Sequence, residues 1–121
     1  MSLSDLYEQL RVKQEQLNRL QVCEGKLQQN LLDFSDNYRL CQEPALTPET
    51  WAGERANEFE KIRENEIATS YGEIMGTQFS SVFNALSDKM TSLENEIIGL
   101  KAAIAAMEAA MAAEAAAALN K

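Results

Sequence analysis

TPETWAGERANEF, residues 47–59, is the stretch that decides the fold. Long runs of leucine-type periodicity lie on both sides of it. It holds the chain's one tryptophan, Trp51, with Gly53 two residues later. Thr47 is a good N-cap and Pro48 suits a first helical position, so the chain restarts here. Gly53 follows almost at once, which limits residues 48–51 to one turn and lets the chain reverse. The expected turn therefore spans residues 43–53.

Upstream, positions 3, 6, 10, 13, 17, 20, 24, 27, 31, 34, 38 and 41 alternate steps of three and four. Ten of these twelve are apolar or semi-apolar; Lys13 and Glu24 interrupt the series. That spacing predicts one long helix with a coiled-coil-like seam, over about 3–42. Lys13 and Glu24 either fix register or snorkel to water. Ser2 or Ser4 can cap the start, and Pro44 is expected to end the helix.

Downstream, a second helix is expected over about 54–118. Its early apolar positions are Ala56, Phe59, Ile62, Ile67, Tyr71, Ile74 and Phe79. Two steps of five, Ile62 to Ile67 and Ile74 to Phe79, break the phase and predict a kink, a stutter or a π-bulge. The Gly72-x-x-x-Gly76 spacing leaves room for another backbone to approach. From Phe83 the seam is regular through Leu86, Met90, Leu93, Ile97, Leu100, Ile104, Met107 and Met111.

The expected fold is all-α: a long antiparallel helical hairpin, one domain over 1–121, associating into a four-helix-type bundle or coiled coil. A first helix of 39 residues is about 58 Å long. Equal arms would leave the second helix overhanging beyond Ser92 by about 40 Å. Leu93, Ile97, Leu100, Ile104, Met107 and Met111 would then lie exposed, each representing about 1.5–3 kcal/mol if covered. These six residues are the expected partner interface.

Composition narrows function. The net charge is −8. Residues 43–96 carry −7 of it (four basic, eleven acidic). Such a chain repels phosphate backbones and anionic bilayers, so no nucleic-acid partner is expected. The Ala-rich segment 102–118 carries Glu108 and Glu114, which argues against stable membrane insertion. The sequence has no histidine, hence no usual general base and no Glu-x-x-His metal pair. The carboxylates of EFEKIRENE, interleaved with Lys61 and Arg63, read as a solvated helix face. No catalytic residue, cofactor site or metal site is expected, and the chain is not expected to be an enzyme. Cys23 and Cys41 stand eighteen residues apart, about 27 Å on a helix, and cannot bridge within it. They read as reduced thiols, with an intermolecular disulfide as the alternative. The start, MSLSDLYEQL, shows no signal-peptide pattern, so a cytoplasmic location is expected.

The segment Trp51-Ala52-Gly53-Glu54-Arg55-Ala56-Asn57-Glu58-Phe59 resembles the signature of the Trp-x-Gly, ESAT-6-like proteins of Gram-positive type VII secretion. In that family Trp-x-Gly lies in the turn between two helices, and an alanine and an aromatic open the second; Ala56 and Phe59 occupy those places. The longer layout, with DLYEQL, LQQNLLDF, EPALTPETWAGERANEF, SYGEIMGTQF and VFNALSDKM, is similar to the YwqH-like branch over about residues 4–100. The resemblance implies a non-enzymatic adaptor or targeting chaperone that pairs with the helical N-terminal domain of an LXG toxin and is exported with it. One departure stands out. The family's Tyr-x-x-x-Asp/Glu export signal is missing, since Tyr7, Tyr38 and Tyr71 are followed at that spacing by Arg11, Gln42 and Met75. The alternative is a self-associating structural coiled coil without a secreted client. A metal or small-molecule carrier ranks third.

For Trp51 the residues themselves imply packing over the end of the first helix, against Tyr38 or Cys41. For Gly53 they imply either a backbone requirement or a lack of room for a Cβ.

Overall fold

A computed structural model describes residues 2–43 and 53–120. The fold class is all-α, and no strand occurs among the described residues. Pro44, Thr47, Pro48 and Trp51 lie outside the described residues, so the packing expected of Trp51 does too.

Helix α1 runs Leu3–Asp36. Ser2 caps it through a reciprocal pair. The Asp5 backbone N–H donates to Ser2 Oγ, and the Ser2 N–H donates to Asp5 Oδ2, each at 3.2 Å. This box satisfies donors that a helix start otherwise leaves orphaned. It also holds the Asp5 carboxyl below its ordinary value, chiefly through the Ser2 backbone hydrogen bond.

The α-helix stops earlier than the expected 42. Its last residues read Asp33-Phe34-Ser35-Asp36, followed by Asn37, whose type competes with backbone hydrogen bonds. Asn37 sits at φ −88°, ψ −4°, and the chain tightens into a 3₁₀ turn, Tyr38–Cys41. Polar residues thus end the α-helix eight positions before Pro44.

The second helix is continuous from Glu54 to Leu119. It comprises α2 (Glu54–Ile62), a π segment (Arg63–Ala68), α3 (Thr69–Glu73), a second π segment (Ile74–Gln78) and α4 (Phe79–Leu119). The two steps of five in the sequence are therefore π-helical turns, each taking about one residue more than an α turn. Gly53 opens this helix at φ +110°. Among the described residues nothing lies within 4 Å of where its Cβ would stand. The positive φ is a conformational reason for glycine at this position; crowding by the Trp51 indole lies outside the described residues. Gly72 and Gly76 likewise have nothing within 4 Å, so among the described residues no backbone uses their spacing for close approach. By length and composition, Glu54–Leu119 contains the one helix among the described residues able to cross a membrane.

The chain divides into two compact units: Met1–Cys23 with Leu86–Lys121, and Glu24–Ala85. In the first unit, the start of α1 pairs antiparallel with the end of α4. Tyr7 Oη donates to Glu108 Oε1, and Lys13 Nζ lies 2.9 Å from Glu96 Oε2. Leu6, Leu93, Ile97 and Ile104 are its buried core, and Leu93 is fully enclosed. Lys13, one of the two seam interruptions, thus acts as a register pair. On α1's outer face, Arg11 and Arg19 bracket Glu15 at 3.1 and 2.8 Å, a solvated row.

In the second unit, the end of α1 pairs antiparallel with α3 and the start of α4. Phe34 stacks on Tyr71 with ring centroids 4.0 Å apart, and the 3₁₀ turn packs on the first π segment. All twelve heptad positions from Leu3 to Cys41 are buried or half-buried.

This register overturns the expected overhang. Equal arms starting at Glu54 would leave Leu93–Met111 unpaired. Instead Phe34 and Tyr38 stand against Tyr71 in the second unit, and Tyr7 and Lys13 stand against Glu108 and Glu96 in the first, so α1 runs alongside the seam as far as Met107. Leu93, Ile97 and Ile104 are consequently buried and Leu100 and Met107 half-buried; of the six, only Met111 is exposed, at 52%. Beyond it, residues 112–120 are exposed.

Candidate interaction surface

The second unit holds the chain's most distinctive chemistry. Its centre is an aromatic cluster built from both helices. Phe34 contacts Tyr71 and also Phe79, at 5.9 Å between centroids. Tyr38 lies 5.7 Å from Tyr71, and Phe83 lies 6.2 Å from Phe79. Offset and tilted ring pairs of this kind are favourable beyond their burial. The Tyr71 hydroxyl donates to the Phe34 carbonyl at 2.6 Å. That carbonyl is among the last four of α1, which have no partner within their own helix, so Tyr71 closes the helix end from the side. Burial, then the neighbouring Cys41, holds the Tyr71 phenol above its ordinary value. Ser35 Oγ stands 3.6 Å from Met75 Sδ beside the cluster.

Two apolar grooves share residues with the cluster, one at Phe83 and one at Phe79. One, of about 390 Å³, is lined by Gln28, Leu31, Leu32 and Phe83. The other, of about 200 Å³, is lined by Leu27, Ile74, Gln78, Phe79 and Val82. Both are open to solvent, and almost all of their lining is apolar.

The second groove continues into a longer stripe. Ile62 (48% exposed), Ile67 (50%) and Val82 (46%) are large apolar residues left in water. Ile74 is half-buried between them. Their spacings are five, seven and eight. In an unbroken α-helix the first and last steps would carry these residues to different faces. A five-residue step through Arg63–Ala68 makes one turn, and an eight-residue step through Ile74–Gln78 makes two, because each π turn takes about one residue more. Seven residues make two α turns. The π segments therefore align the four side chains along one face.

The same segments set what turns inward. Ala56 is buried, as its place in the apolar series implies, but the next buried positions are Arg63 and Ala68, each one residue after the expected Ile62 and Ile67, and Phe59 is exposed. This corrects the reading of early helix 2. Arg63 forms an ion pair with Glu60 at 2.6 Å, and its guanidinium lies 5.5 Å from the Phe59 ring centroid. Part of EFEKIRENE is thus interior rather than solvated. The seven-residue step from Ala56 to Arg63, with Glu60 one turn before the arginine, was the available sequence signal.

Of the expected turn residues, Ala56 is buried, Phe59 is 42% exposed, and Gly53 holds the positive φ. The six expected interface residues belong to the first unit and, Met111 apart, pack within it. Cys23 is exposed, Cys41 half-buried, and both are free thiols. Among the described residues no group of three or more potential ligands is placed to hold a metal ion.

These features define a small all-α protein of the helical-hairpin class, with an apolar stripe left open on one helix. The chain belongs to the YwqH-like family, whose model matches residues 1–113. No curated protein and no solved structure matches it.

Proposed function

We propose that this chain is a non-enzymatic adaptor or targeting chaperone of a Gram-positive type VII secretion system. Its client is the helical N-terminal domain of an LXG toxin. Family membership supports the reading. The observation that carries it is the aligned stripe of Ile62, Ile67, Ile74 and Val82, a face suited to another helix. The absence of histidine from the sequence supports a binding role over a catalytic one.

The interface lies on this stripe and not at Leu93–Met111, where the chain already covers its own seam. The adaptor works in the cytoplasm and leaves the cell, if at all, with its client's share of a composite export signal. The Ala-rich end of α4 does not insert stably in a bilayer, because Glu108 and Glu114 lie in it and Glu108 is bonded to Tyr7.

Co-expression with the LXG protein encoded beside it, followed by gel filtration, tests the reading. Co-elution in a defined ratio is expected. Separate elution of two folded proteins would remove the adaptor role.

A further inference from the structure

We infer that the stripe of Ile62, Ile67, Ile74 and Val82 receives an amphipathic helix of another protein whose apolar face is bordered by Lys and Arg. The inference rests on the adaptor reading only for there being a protein partner.

Charge identifies the occupant. The unit Glu24–Ala85 carries −6 of the chain's −8 (five basic, eleven acidic). Among its described residues, eight exposed carboxylates face four exposed cations. Glu58 stands one turn before Ile62, and Glu66 and Glu73 directly precede Ile67 and Ile74; these three border the stripe and are exposed, as is the single cation Lys61 beside Ile62. The nearby Arg63 is turned inward and paired with Glu60. An arriving helix therefore meets an apolar strip edged by negative charge. Basic flanks on that helix speed encounter and select against acidic competitors.

A second copy of this chain fits poorly. Stripe against stripe would bring Glu58 and Glu66 of both copies together, within two units each at −6. Like charges across an interface suppress wrong partners in this way. An anionic bilayer is repelled on the same ground.

Two synthetic amphipathic helices with one apolar face, the first flanked by Lys and the second by Glu, test the inference against the full chain. Binding is read by fluorescence anisotropy at low and high salt. The Lys-flanked helix is expected to bind at least about tenfold more tightly. That advantage should shrink at high salt. Ile67→Asp should abolish binding, and Glu58→Lys with Glu66→Lys should invert the preference, with circular dichroism confirming that both variants stay helical.

Equal binding of the two helices, no binding, or binding indifferent to Ile67→Asp would overturn it. So would a homodimer that Ile67→Asp dissolves, or capture of the chain by anionic vesicles through this face. The adaptor reading fails separately. Toxin co-elution that ignores the charge reversal removes this inference and leaves the adaptor. Absence of co-elution removes the adaptor whatever the peptides do.

Discussion

Leu93 and Ile67 lie on one continuous helix, yet the first is fully buried and the second is half exposed. Leu93 belongs to the unit Met1–Cys23 with Leu86–Lys121, where the heptads keep their phase, broken in composition by Lys13, and α1 covers the seam. Ile67 belongs to the unit Glu24–Ala85, where two π turns re-phase the helix. There, alanines and a paired arginine face inward, while isoleucines face water. Regular heptads in the first unit build stability. Broken phase in the second leaves apolar side chains in water. The units also differ in charge, −2 against −6 (six basic and eight acidic, five basic and eleven acidic).

The largest expected effect lies in the first unit. Leu93→Ala should cost about 2–5 kcal/mol in urea denaturation, through lost burial and the cavity left behind. Ile67→Ala should change stability by no more than about 0.5 kcal/mol, as exposed substitutions do. If the two costs are alike, the division of labour between the units fails.

Gly53→Ala comes next. The +110° backbone angle resists a Cβ whatever space surrounds it, and the expected cost is about 1–3 kcal/mol. A neutral result would show that the helix start relaxes away from that angle.

A smaller effect comes from the cross-helix pair of the first unit. The hydrogen bond from Lys13 holds the Glu96 carboxyl below its ordinary value. A lowered folded-state value means that the pair's contribution is fully present above the ordinary carboxyl range. It is lost as pH falls through the lowered value. Acid titration of stability should therefore be shallower in Glu96→Gln than in the parent chain. A comparably modest effect is expected of Tyr71→Phe, which keeps the stacked ring and removes one hydrogen bond to the Phe34 carbonyl. A decrease in urea midpoint smaller than that of Leu93→Ala is expected.

How much of this was readable in the residues follows the same division. The first helix was, because its apolar positions repeat every three and four residues and every one of them is at least half-buried. The π turns were also visible, as steps of five. Two things were not. Periodicity tells which face of a helix is apolar, but sliding one helix along the other by a heptad leaves the pattern unchanged. Register was set instead by Lys13 with Glu96 and by Tyr71 with Phe34, pairings between residues far apart in sequence. The inward face of residues 56–68 was hidden for another reason. Greater hydrophobicity there marks the outer side, since Ala56, Arg63 and Ala68 turn in while Ile62 and Ile67 turn out. A partner's helix would explain that inversion.

The most direct test of the partner surface is co-purification of the full chain with the helical N-terminal domain of its neighbouring LXG protein, comparing Ile67→Asp with the parent. The account predicts that the parent co-elutes with the toxin domain, whereas the variant remains helical and elutes alone. Undiminished co-elution of Ile67→Asp would contradict it.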